Sequence, residues 1–162
     1  MANTPKTNHQ QYASALKTIV HFFDAFGFIE ANKLLYKMVR AAFAQKELLN
    51  KKDVCSLLYI KDEMTALIQA AGIIARHKNG SAELKKLFLK RQPSDCTQSL
   101  DLVFHAAAYD GFFTCPPADE DIYHTCQWFF KLIKVCYKVT IAGKNETLQS
   151  KPGKPGNGSN PD

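Results

Sequence analysis

The chain has 162 residues, of which 46% are hydrophobic, 11% aromatic and 22% charged. That is an ordinary globular balance and excludes collagen-like, wholly disordered and disulfide-scaffold proteins. Its 21 Lys and Arg outnumber 15 Asp and Glu to give a formal charge of +6, which permits attraction to nucleic acid, anionic lipid or an acidic protein but requires none of them.

The first residues, 1–9, are polar and read as a flexible N-terminus without the apolar stretch of a secretory signal. A first helix is expected over 8–26, where Tyr12, Leu16, Ile19, Val20, Phe23 and Phe26 recur at intervals of three and four. Gly27 is its expected stop. A second helix over 29–44 buries Leu34, Leu35, Met38 and Ala42, with Tyr36 a further candidate, and turns Lys33, Lys37 and Arg40 to solvent. The polar stretch 45–52 holds the next turn, although Leu48 and Leu49 favour extending the helix.

The third helix, 53–77, takes Asp53 as its cap and carries its apolar face from Val54 to Ala75, including Leu58. Arg76, His77 and Lys78 complement its dipole, and Asn79-Gly80 ends it. Ser81 caps a short fourth helix that carries Leu84, Leu87, Phe88 and Leu89 and ends before Pro93. A fifth, over 95–109, has the stripe Leu100, Val103, Phe104 and Ala107. Pro117 opens a sixth with Asp119, Glu120 and Asp121 in its first turn. It runs to Ala142, and Gly143 is expected to end it. The remaining 144–162 are rich in Pro, Gly, Asn and Ser and read as a disordered tail.

The expected fold is therefore all-α: one antiparallel bundle of about five to six helices over 10–143. No strand is expected; the β-branched run 135–141 is continuous with a helical pattern. No uncharged apolar run reaches the ~18 residues of a membrane span, because Lys131, Lys134 and Lys138 interrupt the longest candidate. Cys55, Cys96, Cys115, Cys126 and Cys136 are odd in number and form no C-x-x-C pair. They read as reduced thiols of a cytoplasmic protein.

Catalytic signals are sparse. Asp101 and His105 lie at i, i+4, and His21 and Asp24 at i, i+3, so each acid shares a helix face with an imidazole it can orient. An exposed pair is the ordinary outcome for the first, and a partly buried, hydrogen-bonded His21 for the second. Cys115, His124 and Cys126, with Cys96 and His105, contain metal-ligating side chains, yet positions two apart on a helix point about 200° away from each other. There is no nucleophile elbow, no glycine-rich phosphate loop before a helix, and no Arg followed four to seven residues later by His as in small helical ribonucleases. No catalytic, cofactor or metal residue is assigned.

Two features remain. Aromatic residues exceed what one core accommodates, so Phe22, Phe28, Phe112, Phe113 and Trp128 are candidates for contact with a protein partner or a second copy. Lys33, Lys37 and Arg40, Lys131, Lys134 and Lys138, and Lys85, Lys86, Lys90 and Arg91 form basic stripes. Adjacent in a bundle, two such stripes make a strip for the phosphates of nucleic acid. Alone, each is the wet face of an amphipathic helix. The expected function is a non-enzymatic, self-associating helical module. A nucleic-acid-binding or regulatory domain is the alternative, and a metal-binding or hydrolytic protein centred on Asp101, His105, Cys115 and His124 the weaker one.

Overall fold

The computed structural model describes residues 7–43, 50–108 and 120–149. It is an all-α bundle whose helices in chain order are α1 (Asn8–Phe43), α2 (Lys51–Arg76), α3 (Ala82–Leu87), α4 (Pro93–Ala108) and α5 (Glu120–Gln149). Helix α1 packs against α2, α4 and α5, α2 also packs against α4, and α3 bridges α2 and α5. None of these helices is long and apolar enough to cross a membrane.

The two first helices expected from sequence are both present, meeting at Gly27 without a loop between them, and together they make up the span α1. At Gly27 the backbone has φ 67° and ψ 165°, which kinks α1. Only glycine holds this conformation without steric cost. The expected stop is thus a joint: the helix resumes at once and carries both apolar stripes. Helix α1 begins with a reciprocal cap. The Gln10 amide donates to Thr7 Oγ1 at 3.4 Å, and the Thr7 amide donates to Gln10 Oε1 at 3.1 Å, satisfying two amides that otherwise lack partners.

Helix α2 is capped by Asn50, whose Oδ1 accepts from the Asp53 amide at 2.9 Å. Asp53 therefore lies inside the first turn, where its charge complements the dipole. The other end closes at His77, the expected bound, whose amide donates to the Ile73 and Ile74 carbonyls. Gly80 is needed for space: a Cβ there would stand 1.8 Å from the Ile74 carbonyl oxygen. Gly80→Ala is accordingly expected to cost about 1–3 kcal/mol, read as a lower denaturant midpoint at unchanged slope.

Ser81 caps α3 as expected, accepting from the Leu84 amide at 3.4 Å. Helix α4 starts two residues earlier than its expected Asp95, with Pro93 as its first residue, a position that needs no N–H donor. Helix α5 passes through Gly143 without ending and continues to Gln149. A glycine inside a helix costs about 1 kcal/mol relative to alanine and does not by itself terminate it. The first part of the expected tail is therefore helical, while 150–162, like residues 44–49 and 109–119, lies outside the described residues.

The core joins Ile19, Phe22, Leu35 and Met38 of α1 to Leu57, Met64, Leu67 and Ile74 of α2, Leu100 and Val103 of α4, and Phe129, Ile133 and Cys136 of α5. The α4 stripe is buried as expected. Leu58, expected on the apolar face of its helix, is exposed, and so is Tyr36, the further candidate for the buried stripe of the second helix. Among the described residues every buried side-chain N or O atom has a hydrogen-bond partner. Thr140, for instance, donates to the Tyr137 carbonyl at 2.6 Å.

Candidate functional site

The helix period places two kinds of surface on the first half of α5. Tyr123 and Phe130 are seven residues apart and share one stripe; His124 and Lys131 share the next. The inner face between them carries Cys126, Phe129 and Ile133 into the core.

The first stripe faces the second half of α1. There Tyr36, Val39, Arg40 and Phe43 meet Tyr123, Cys126, Gln127 and Phe130 around a hollow of about 530 Å³. A second hollow of about 450 Å³ continues it, bounded by Phe28, Ile29, Asn32, Lys33, Tyr36 and Phe130. The two share Tyr36 and Phe130 and so form one groove. Ile29 is 69% exposed, Tyr36 61% and Tyr123 60%. Isolated exposed apolar side chains are common, but side chains this large along one groove form a contiguous apolar patch.

The second stripe faces α3 and the turn after it. Lys86, Leu87, Leu89, Lys90 and Arg91 meet His124, Gln127, Trp128 and Lys131 around a cleft of about 340 Å³. Arg91 is held in place there. Its Nη1 donates to Thr125 Oγ1 at 2.8 Å, and its guanidinium lies 6.0 Å from the centre of the Trp128 ring. Trp128 is itself fixed, donating its indole N–H to the Leu87 carbonyl at 3.1 Å and meeting Phe88 edge-on at 5.3 Å.

The candidate interaction residues divide accordingly. Phe22 is wholly buried, and Trp128 is buried apart from an edge on the basic cleft. Neither presents a face for a partner, because the core takes the rings that looked surplus in the sequence. Phe28 is half-buried, stacked on Tyr137 at 4.8 Å, and does border the groove. Phe112 and Phe113 lie outside the described residues.

The basic stripes divide as well. Lys37 pairs with Asp53, Lys138 with Glu83 at 2.9 Å, and Lys33 stands 3.9 Å from Glu30. Lys33 and Arg40 are on the rim of the apolar groove. Lys131 joins the α3 cluster, and Lys134 is exposed one turn further along α5.

Asp101 turns to Lys61, 3.2 Å away, which also bonds Asp62 at 3.0 Å. The hydrogen bond that Lys61 donates to Asp62, opposed by partial burial and reinforced by Asp101, holds the Lys61 ammonium above its ordinary pKa. This carboxylate thus has a structural partner, while His105 is exposed. His21 is also exposed, contrary to the partly buried role expected for it. Among the described residues no group of three His, Cys, Asp or Glu side chains is placed to hold a metal. His124 is exposed while Cys126 is buried, and Cys115 lies outside the described residues.

Comparison with protein-family models, with curated proteins and with solved structures finds no match to this chain.

The exposed side of the groove is what sequence reading missed. Tyr36, Val39 and Phe43 stand at i, i+3, i+7, next to the buried stripe Leu35, Met38 and Ala42. Two parallel apolar stripes make an arc wider than one neighbour covers, and that width was the available signal.

Proposed function

We propose that this protein is a non-enzymatic association module that pairs with a second copy of itself through the groove between α1 and α5. The continuity of the two apolar hollows through Tyr36 and Phe130 carries this reading. Arg40 and Lys33 at the margin supply the polar rim that accompanies such surfaces. A two-fold pair would bring the same patch from each copy together, so one set of aromatic side chains serves both sides. The described cysteines are free thiols, in keeping with a cytoplasmic protein. The nucleic-acid alternative draws less support, since Lys37 and Lys138 are engaged by carboxylates within the chain.

Solution mass measured by light scattering across a dilution series tests the proposal. The full chain should be a dimer that dissociates on dilution, with little dependence on salt. Tyr36→Ser and Tyr123→Ser each remove an aromatic anchor, and each should weaken pairing by about 2 kcal/mol, roughly thirtyfold in Kd. A monomer throughout the series, or a dimer indifferent to both substitutions, refutes the assignment.

A further inference from the structure

The cleft between α3 and α5 adjoins that groove at Gln127, but its cations lie outside the groove. Its cations come from two elements: Lys86, Lys90 and Arg91 from α3 and the turn that follows, and Lys131 from α5. Among the described residues no carboxylate lines the cleft. The nearby Glu83 is taken by Lys138, and Lys85 donates to the Lys78 carbonyl. Among the described residues Lys86, Lys90 and Lys131 have no partner of their own, and Arg91 donates one N–H to Thr125.

Leu89 stands in the middle of this charge. It is 79% exposed, more than any other large hydrophobic side chain among the described residues. The turn that carries it is closed by backbone bonds: the Leu89 amide donates to the Lys86 carbonyl at 3.4 Å, and the Arg91 amide to the Phe88 carbonyl at 3.5 Å. The fold therefore presents a leucine at the tip of a closed turn with lysine on both sides. A soluble anion has no use for that leucine. A single-stranded nucleic acid would draw on aromatic faces for stacking, and Trp128 is already committed to Arg91, Phe88 and the Leu87 carbonyl. An anionic bilayer uses both features, because lipid phosphates meet the cations while the apolar tip enters the headgroup boundary.

We propose that the α3–α5 face docks on anionic membrane surfaces, with lipid phosphate seated among Lys86, Lys90, Arg91 and Lys131 and Leu89 inserted into the interface. The proposal is independent of self-association, since a monomer presents the same cleft.

The test is co-sedimentation of the full chain with phosphatidylcholine vesicles, with and without phosphatidylserine. The chain should bind only the vesicles containing phosphatidylserine and release as salt is raised. Each lysine neutralised near the surface should lower partitioning about fivefold, so Lys86→Gln with Lys90→Gln should lower it by roughly twenty-five-fold. Leu89→Ser changes no charge and should still weaken binding. These side chains are exposed, and far-ultraviolet circular dichroism verifies that each variant keeps its helices. Absence of vesicle binding by the folded chain overturns the proposal. So does retention on polyuridylate, in place of vesicles, that depends on the lysines and ignores Leu89→Ser, an outcome that would move the cleft to nucleic acid.

Discussion

Phe22→Ala is expected to remove about 3–5 kcal/mol of folding stability and to leave the pairing surface intact. Phe22 is 0% exposed and its ring packs at 5.1 Å from Phe23 and 5.3 Å from Phe26. It sits on the helix that packs against α2, α4 and α5 together, so neighbours tied to three partners cannot collapse freely into the space it leaves. Truncation therefore loses both the transfer energy of the ring and the contacts around the resulting cavity. For a domain of this size the midpoint of thermal unfolding should fall by roughly 10 °C or more. Tyr36→Ser, on the exposed groove, should change monomer stability by no more than about 0.5 kcal/mol. Because pairing itself adds stability by mass action, the comparison is made in a Tyr36→Ser background. A loss below about 1 kcal/mol for Phe22→Ala would contradict its place in the core.

A steep alkaline loss of stability is the second expected result. Cys96 and Cys126 are 1% and 3% exposed, and Cys136 is fully enclosed. Burial raises the Cys96 and Cys126 thiols from an ordinary 9.0 to about 11, and pushes Cys136 higher still. At Cys96, neighbouring Arg91 draws the value down and Asp95 draws it up, both by less than burial does. Folding thus holds these thiols protonated. Their contribution is complete below the unfolded value of 9.0 and is lost above it, because only the unfolded chain can release the protons. Between about pH 8 and pH 10 the free energy of unfolding should fall by roughly 4 kcal/mol, a large part of the 5–15 kcal/mol typical of a domain. Urea titrations at several pH values, with reductant present, measure this directly. Cys136→Ala should lower the neutral plateau and flatten the alkaline slope by about a third. A slope unchanged by that substitution would place the alkaline effect on other groups. Thiol alkylation of the native protein supplies a second readout: among the described cysteines Cys55 is exposed and should react first.

Much of the fold was legible because amphipathic helices advertise one buried stripe. Leu100, Val103, Phe104 and Ala107 stand where their spacing put them, as does the Ser81 cap. The errors lie at the helix ends. Asp53 and Asn50 are both good caps by residue type, and the hydrogen bond that separates them is geometric. The Thr7–Gln10 box has a readable signature, but it stands within a polar stretch that composition alone marks as flexible. Gly143 shows why a single glycine is weak punctuation: the penalty is small beside the packing of α5 on the rest of the bundle.

The candidate surfaces were harder to read. Composition revealed an aromatic excess but not which rings the core would take. Phe22 and Trp128 went inside, while Tyr36 and Tyr123 stayed outside. Periodicity placed Lys131 on a wet face, and only the tertiary arrangement sets it beside Lys86, Lys90 and Arg91. Lys37 and Lys138 were just as periodic, yet each is neutralised by an acid from a distant part of the chain, Asp53 and Glu83 respectively.

The joint at Gly27 also settles a question of length. Left straight, the 36 residues of α1 would form a rod of about 54 Å, longer than the roughly 40 Å breadth of a compact chain of this size. One end would then project beyond every partner and have no neighbours to lie against. Breaking the rod lets each half take its own bearing across the bundle, so that Ile19 and Phe22 on one side and Leu35 and Met38 on the other all reach the same interior. It also frees the second half to set the width of the aromatic groove independently of how the first half is seated. A residue without a side chain thus governs how far apart two walls of a surface stand.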